Sequence, residues 1–325
     1  MDNIYISGYG LFLANIKTAK DFLRLIDEKE EILCNKIEEL KDVAEQKQYR
    51  RMDRFSILSV LSAKALLDSA EETLSPYRCA SIINTSYGCV DTNLDFIQDI
   101  LNDDISPIKF SHTVYNASLG HVCKKFGIKG ASTMLLSSNY IYVAMALLSS
   151  GKADYVLAGG IEVYIQELEN YFKIIGIKTS ECGCFVGLTK TLTKKCLARI
   201  VDFSECNFGG HPYLDDTKID AKKILHNINS ALINANISKE DINIIISSSL
   251  SILYSMPESE AISQLFMGTE IINLNYYIGE TLGASLGVNL LYAALKLNNT
   301  KGKYALVNNF DLGGNYVSYI LSSIE

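Results

Sequence analysis

The sequence predicts a layered α/β protein, and three observations predict it. Short β-branched runs alternate with helix-patterned stretches along the whole chain, as they do where helices cover sheets. At 325 residues and 48% hydrophobic content the chain can bury a substantial core. No Pro/Gly/Ser-rich linker divides it, so one large unit or two fused ones are expected.

In chain order, Ile4-Tyr5-Ile6 reads as a first buried strand. The charged segment from Lys36 to Arg51 reads as a solvated helix or loop. Ile57, Leu58, Leu61 and Ala65 keep helical spacing after Asp53, predicting a helix that buries one face. Ser81-Ile82-Ile83 is a second strand. Asn139 to Ser150 is a helix stopped by Gly151 at a C′-like position, and Tyr155-Val156-Leu157 is the strand after it. Ile242 to Ile246 and Tyr304 to Val307 are strands of a second half. Between them Ala284, Ser285 and Gly287 place small residues on a central helix that approaches its neighbours closely. Two βα halves that do not align by eye follow, with a boundary near Asp202 to Asp215, taken as 1–205 and 206–325 of one compact unit.

Composition excludes several functions. A net charge of −7 argues against a phosphate-backbone footprint, and Arg50, Arg51 and Arg54 are interleaved with Asp53, so no nucleic-acid partner is expected. The longest apolar run, around Tyr140 to Leu148, is far short of the ~20 residues a spanning helix needs, so no membrane contact is expected. Met1 to Ser7 carry no basic n-region, which predicts a cytoplasmic protein. Eight scattered cysteines (34, 79, 89, 123, 182, 184, 196 and 206) read as reduced thiols. Cys182 and Cys184 are one residue apart with no second pair, so no metal is expected.

Several motifs then fall in a telling order: Arg50-Arg51-Met52-Asp53-Arg54-Phe55, Asn116 with Gly120-His121, Gly159-Gly160, Gly279 and Gly313-Gly314. Over nearly its whole length the chain resembles the β-ketoacyl synthases. That resemblance implies a thiolase-like layered α-β-α-β-α architecture of two similar halves, here shortened at the nucleophile elbow and between Gly160 and Cys184. In that family a cysteine at a helix N-terminus and two histidines carry the chemistry. Counting forward from Gly130 puts Asn139 at the cysteine, and counting back from Gly151 puts Met134 there. Ser247 stands at the first histidine, in Ser247-Ser248-Ser249-Leu250-Ser251. Asn275-Tyr276-Tyr277-Ile278-Gly279-Glu280 replaces the segment of the second, converting its lysine to Asn275 and its histidine to Glu280. Leu312 stands at the phenylalanine gate.

Without a thiolate or imidazoles, decarboxylative condensation loses its nucleophile and its enolate stabilisation. A scaffold kept without its chemistry resembles the chain-length factor of a type II polyketide synthase. The resemblance implies a catalytically silent subunit that heterodimerises with a ketosynthase, completes its tunnel and helps set polyketide chain length. Tunnel and interface positions then fall on Tyr87, Ile108, Lys109, Phe110 and Asn116, with Tyr87 as a candidate floor and His121 as a structural histidine. No cofactor is bound, since phosphopantetheine arrives on the acyl carrier protein. That carrier docks mainly on the partner, with Lys190, Lys194, Lys195 and Arg199 as a contributing patch. The alternatives are a stand-alone thiolase-fold binding or scaffolding protein, and a divergent condensing enzyme using Cys89 or Cys123. A serine hydrolase is disfavoured because no GxSxG elbow occurs.

Overall fold

The computed structural model describes residues 2–13, 16, 18–31, 36–70, 74–211, 219–248, 252–298 and 302–324, the side chains of 252–255 excepted. The first half contains β1 (Ile4–Leu13), α1 (Ala19–Asp27), α2 (Glu39–Glu45), α3 (Arg54–Ala70), β2 (Cys79–Thr85), α4 (Val90–Leu101), α5 (Pro107–Phe110), α6 (Asn116–Phe126), β3 (Ser132–Leu136), α7 (Tyr140–Ser149), β4 (Tyr155–Glu162), α8 (Gln166–Ile174) and β5 (Cys182–Thr189). The second contains β6 (Cys196–Asn207), α9 (Ala221–Ala235), β7 (Ile242–Ser247), α10 (Ile252–Leu265), β8 (Glu270–Asn273), α11 (Asn275–Ile278), α12 (Ser285–Leu297), β9 (Tyr304–Phe310) and β10 (Asn315–Ser322).

Every strand and helix anticipated above from periodicity is present. The ten strands run in the order β3-β2-β4-β5-β1-β6-β10-β9-β7-β8, which is one five-strand order and its mirror image about the β1–β6 pair. The halves therefore divide in the β5–β6 connection at 190–195. The boundary expected at 205/206 falls inside β6, because that strand opens the second half. Segments at matching positions do align: Tyr155–Glu162 on β4 and Tyr304–Asp311, which spans β9 and the residue after it, each run from a tyrosine to an acid, buried at Glu162 and half-buried at Asp311.

Burial explains the layering. Along β2, β4, β9 and β10 alternate side chains enter different cores, the period-2 signature of strands covered on both faces. Ala80, Ile82, Val156, Ala158, Ala305, Val307, Val317 and Tyr319 join α1, α7 and α12 in a central core. Ile83, Leu157 and Phe185 face α3 and α6, whereas Leu306, Tyr316 and Ile320 face α9 and α10. Because α12 touches strands of both halves and has only Lys296 not fully buried, it forms the middle of an α-β-α-β-α stack. Small residues at its start permit this. A Cβ on Gly160 would lie 2.4 Å from the Gly283 carbonyl oxygen, so strand β4 meets the entry to α12 backbone to backbone.

Among the described residues no helix is long and apolar enough to cross a membrane, and no group of three or more His, Cys, Asp or Glu side chains is placed to hold a metal.

Candidate active site

The strand-to-helix turn that should present a nucleophile lies between β3 and α7. Strand β3 ends at Leu136, opposite Thr85, and Ser137 takes φ 40°, a left-handed conformation that costs a non-glycine residue of order 1 kcal/mol. The apex is therefore Ser137, two residues before Asn139 and three after Met134. Its Oγ donates to Ser86 Oγ at 3.3 Å, and Gly313 packs so closely that a Cβ there would lie 2.7 Å from the Ser137 carbonyl oxygen. Asn139 is buried as the N-cap of α7, with Oδ1 accepting from the Tyr142 N–H at 3.2 Å and the Tyr319 hydroxyl at 2.6 Å, while Nδ2 donates to Glu205 at 2.9 Å. It is a fully engaged cap.

Glu280 is 1% exposed and its carboxylate is equally occupied. It accepts from Asn275 Nδ2 at 2.8 Å, Leu282 N–H at 2.7 Å and Ser285 Oγ at 2.6 Å, and burial raises its pKa. Asn275 and Glu280, at the positions where the resemblance leads one to expect the family lysine and histidine, thus bond each other. Ser247 ends β7 as a buried residue; Ser249, Leu250 and Ser251 lie outside the described residues, as does Cys34. Beside it Ser248 donates its N–H to the buried carboxylate of Glu258, which also accepts from the Tyr316 hydroxyl at 2.8 Å.

Sequence reasoning missed Glu162. At the end of β4, 2% exposed, it accepts from Ser86 N–H (2.7 Å), Tyr87 N–H (3.0 Å), Thr85 Oγ1 (3.3 Å) and Gly283 N–H (3.1 Å). Burial pushes its pKa up to about 7 against the pull of those donors. Asp311, its counterpart in the internal repeat, accepts from Gly313 and Asn315 and is pushed up to about 6. Aligning Tyr155–Glu162 with Tyr304–Asp311 is the signal that would have found both. Glu181 was missed too: buried, it is gripped by Arg54 through Nε and Nη2, each at 2.5 Å, and by the Ile37 N–H at 2.5 Å. That explains the last arginine of the Arg50–Phe55 motif, and Asp53 caps α3 by accepting from the Ser56 N–H.

The other expected positions separate. Leu312 is buried with Phe310 and Tyr316 in the outer core of the second half, so it has no gate's freedom. Tyr87 packs edge-on against Phe172, ring centroids 6.4 Å apart, and lines a crevice of about 10 Å³ with Glu162, Leu168 and Phe172. Ile108 and Phe110 on α5 are 54% and 62% exposed, Lys109 pairs with Asp99 at 2.6 Å, and Asn116 is exposed in the first turn of α6. Ile108 and Lys109 border an open cleft of about 650 Å³ together with Arg50, Arg51, Asp53 and Asp91. Cys89 is buried with its pKa pushed up to about 12, which favours the thiol over the thiolate, and Cys123 meets Ser132 at the end of β3 away from the turn. Lys190, Lys194 and Lys195 lie beyond the Thr189 end of β5, which pairs with Tyr155, roughly 23 Å along β4 from the Glu162 end that meets the turn. A carrier docked there would be remote from the site.

The stack of layers, the strand-to-helix turn and the two acid-anchored loops define a thiolase-like fold with a ketosynthase-type site region. The chain belongs to the β-ketoacyl synthase family: residues 4–172 match the model of the β-ketoacyl synthase N-terminal domain. Similar solved structures include the ishigamide ketosynthase/chain length factor (14% identity, TM-score 0.84, covering 99% of this chain and 100% of that one). Others are a β-ketoacyl synthase from Burkholderia phymatum STM815 (18%, 0.81, all of both chains) and AntDE:AntF, a type II PKS acyl-carrier protein in complex with its ketosynthase bound to the hexaketide (14%, 0.81, all of both chains). No curated protein matches the chain.

Proposed function

We propose that this chain is a catalytically silent, chain-length-factor-like subunit that heterodimerises with a ketosynthase. It completes the partner's polyketide tunnel while the partner supplies cysteine and histidines. The observation that carries this reading is Glu280. At the position expected for a catalytic histidine stands a buried carboxyl group with three donors already bound, so it offers no imidazole donor to the enolate that decarboxylation develops. The Ser137 apex, whose hydroxyl donates to another hydroxyl and not to a base, supports it as well.

The surface supports a partner. Strand β3 is a sheet edge with a free ladder side, a template for a strand of another chain. Leu136 at its end is half exposed, and on α4, α5 and the segment after them Ile97, Leu101, Ile108, Phe110 and Val114 are at least half exposed too, apolar side chains that a partner could cover. Polyketide assembly on an acyl carrier protein, whose phosphopantetheine brings the chain, follows from this reading, as does docking of the carrier mainly on the partner.

A divergent condensing enzyme built on Ser137 is the second reading, favoured by the strained φ of that residue. Incubating the purified chain alone with malonyl-loaded carrier protein and following release of carbon dioxide separates the two. The silent-subunit reading predicts no release above a protein-free control; turnover that disappears in Ser137→Ala would establish the second.

A further inference from the structure

His112 and His121 remain outside everything assigned so far, and their geometry is specific. Their planes are within 3° of parallel, the ring centroids are 5.3 Å apart, and the two Nε2 atoms are 3.1 Å apart. Face-to-face rings would bring the centroids as close as the nitrogens. Here the centroids lie farther apart than the nitrogens by about two ring radii, one from each ring, so the imidazoles lie nearly end to end in one plane, aligned for a hydrogen bond. His112 Nδ1 lies 2.9 Å from the carbonyl oxygen of Ile108. A carbonyl only accepts, so Nδ1 carries the hydrogen and Nε2 of a neutral His112 is bare, leaving His121 Nε2–H as the donor.

We infer that His112 and His121 form a one-proton latch that fastens the α5 turn to α6 and thereby holds Ile108 and Phe110 in place on the partner-facing flank. Only the identity of what that flank meets rests on the partner-subunit reading. The pair has room for one added proton, on His121 Nδ1, which leaves the bond intact. A second must sit on His112 Nε2, where two N–H groups then oppose each other and the latch opens. The charged groups around the pair are Arg50, Arg51 and Asp53 ahead of α3, Asp91 and Asp95 on α4, Lys109 on α5 with its partner Asp99, and Lys124 on α6. Burial, then His112, lowers the pKa of His121, with Asp53 opposing, which favours the uncharged His121 that closes the latch.

Nitrogen-15 imidazole spectra of the isolated chain between pH 4 and 8.5 test this directly. The expected tautomers are Nδ1–H for His112 and Nε2–H for His121, with two well-separated titration steps. Amide protection of Phe110, Ser111, His112 and Thr113, whose N–H groups bond within this turn, should fall at the second step only. At pH 7.5 His121→Ala should speed their exchange roughly five- to tenfold, the worth of about one hydrogen bond, without changing amides of β9, and His121→Gln, which keeps a donor there, should restore protection. An Nε2–H tautomer for His112, or one shared titration midpoint with unaltered exchange, would overturn the latch. Expected spectra in a chain that binds no ketosynthase would uphold the latch and remove the partner reading instead.

Discussion

Removing the Glu280 carboxylate is the sharpest perturbation of the altered site. Of its three donors, Ser285 Oγ has an alternative acceptor in the Leu282 carbonyl at 2.8 Å, and Asn275, part-exposed, can turn to water. The Leu282 N–H cannot. It is held in a residue with φ 48°, a strained conformation that persists because the carboxylate fixes it. Glu280→Ala therefore strands one part-buried N–H, at about 1–3 kcal/mol, and loses about 1–2 kcal/mol of buried side-chain packing. Release of the strain at Leu282 returns about 1 kcal/mol. The net expectation is a loss of about 1–4 kcal/mol in urea unfolding. Because burial raises the pKa of this acid, the native state holds its proton to higher pH than the unfolded chain. The stability so contributed is full below the unfolded carboxyl pKa and fades as pH rises through the folded value, so the penalty of Glu280→Ala should shrink toward alkaline pH. A loss under 0.5 kcal/mol, or a penalty that grows with pH, would refute the assignment of Glu280 as a buried anchor. Glu280→His should yield no condensing activity in the isolated chain, since the turn apex offers only Ser137.

Other outcomes follow from the same structure. Glu162, pushed up to about 7, should cost the protein up to about 3 kcal/mol of stability as pH rises from about 4.5 to about 7, a slope that disappears from pH-dependent unfolding curves of Glu162→Ala. Arg54→Ala, which leaves Glu181 buried without its guanidinium, should lose about 3–5 kcal/mol by the same unfolding measurement, and Arg54→Met with Glu181→Leu should recover most of that. Tyr87→Ala should cost about 3 kcal/mol through the lost contact with Phe172, read by unfolding, and it lengthens products in a reconstituted synthase only if its ring also meets the tunnel of a complex. Leu136→Lys on the open edge should leave the fold intact by circular dichroism while weakening capture of a ketosynthase at least tenfold.

The fold was legible because buried strands such as Ile242–Ser247 and Cys79–Thr85 carry β-branched runs that only a two-sided core explains. Strands β5 and β10 escaped notice: CGCFVGLT and NYVSYILS mix glycine, thiol and hydroxyl residues that pack between layers yet do not look apolar in sequence. The half boundary was misplaced because β6 runs twelve residues with a polar second part, which reads as a linker. At the site, the absence of cysteine and histidine was plain from residue type alone, but counting from Gly130 or Gly151 could not find the apex. The pairing of Thr85 with Leu136 fixes where β3 stops, and that register is tertiary. Glu162, Glu181 and the His112–His121 pair were invisible for the same reason, since their partners lie 9 to 144 residues away in sequence.

The most direct test of the central claim is co-expression with an active ketosynthase, followed by native mass spectrometry and analysis of products made from malonyl-loaded carrier protein. A one-to-one complex whose polyketide output requires both chains, and survives Ser137→Ala, is the expected result. A chain that condenses malonyl units by itself, or that remains apart from every ketosynthase offered, would contradict it.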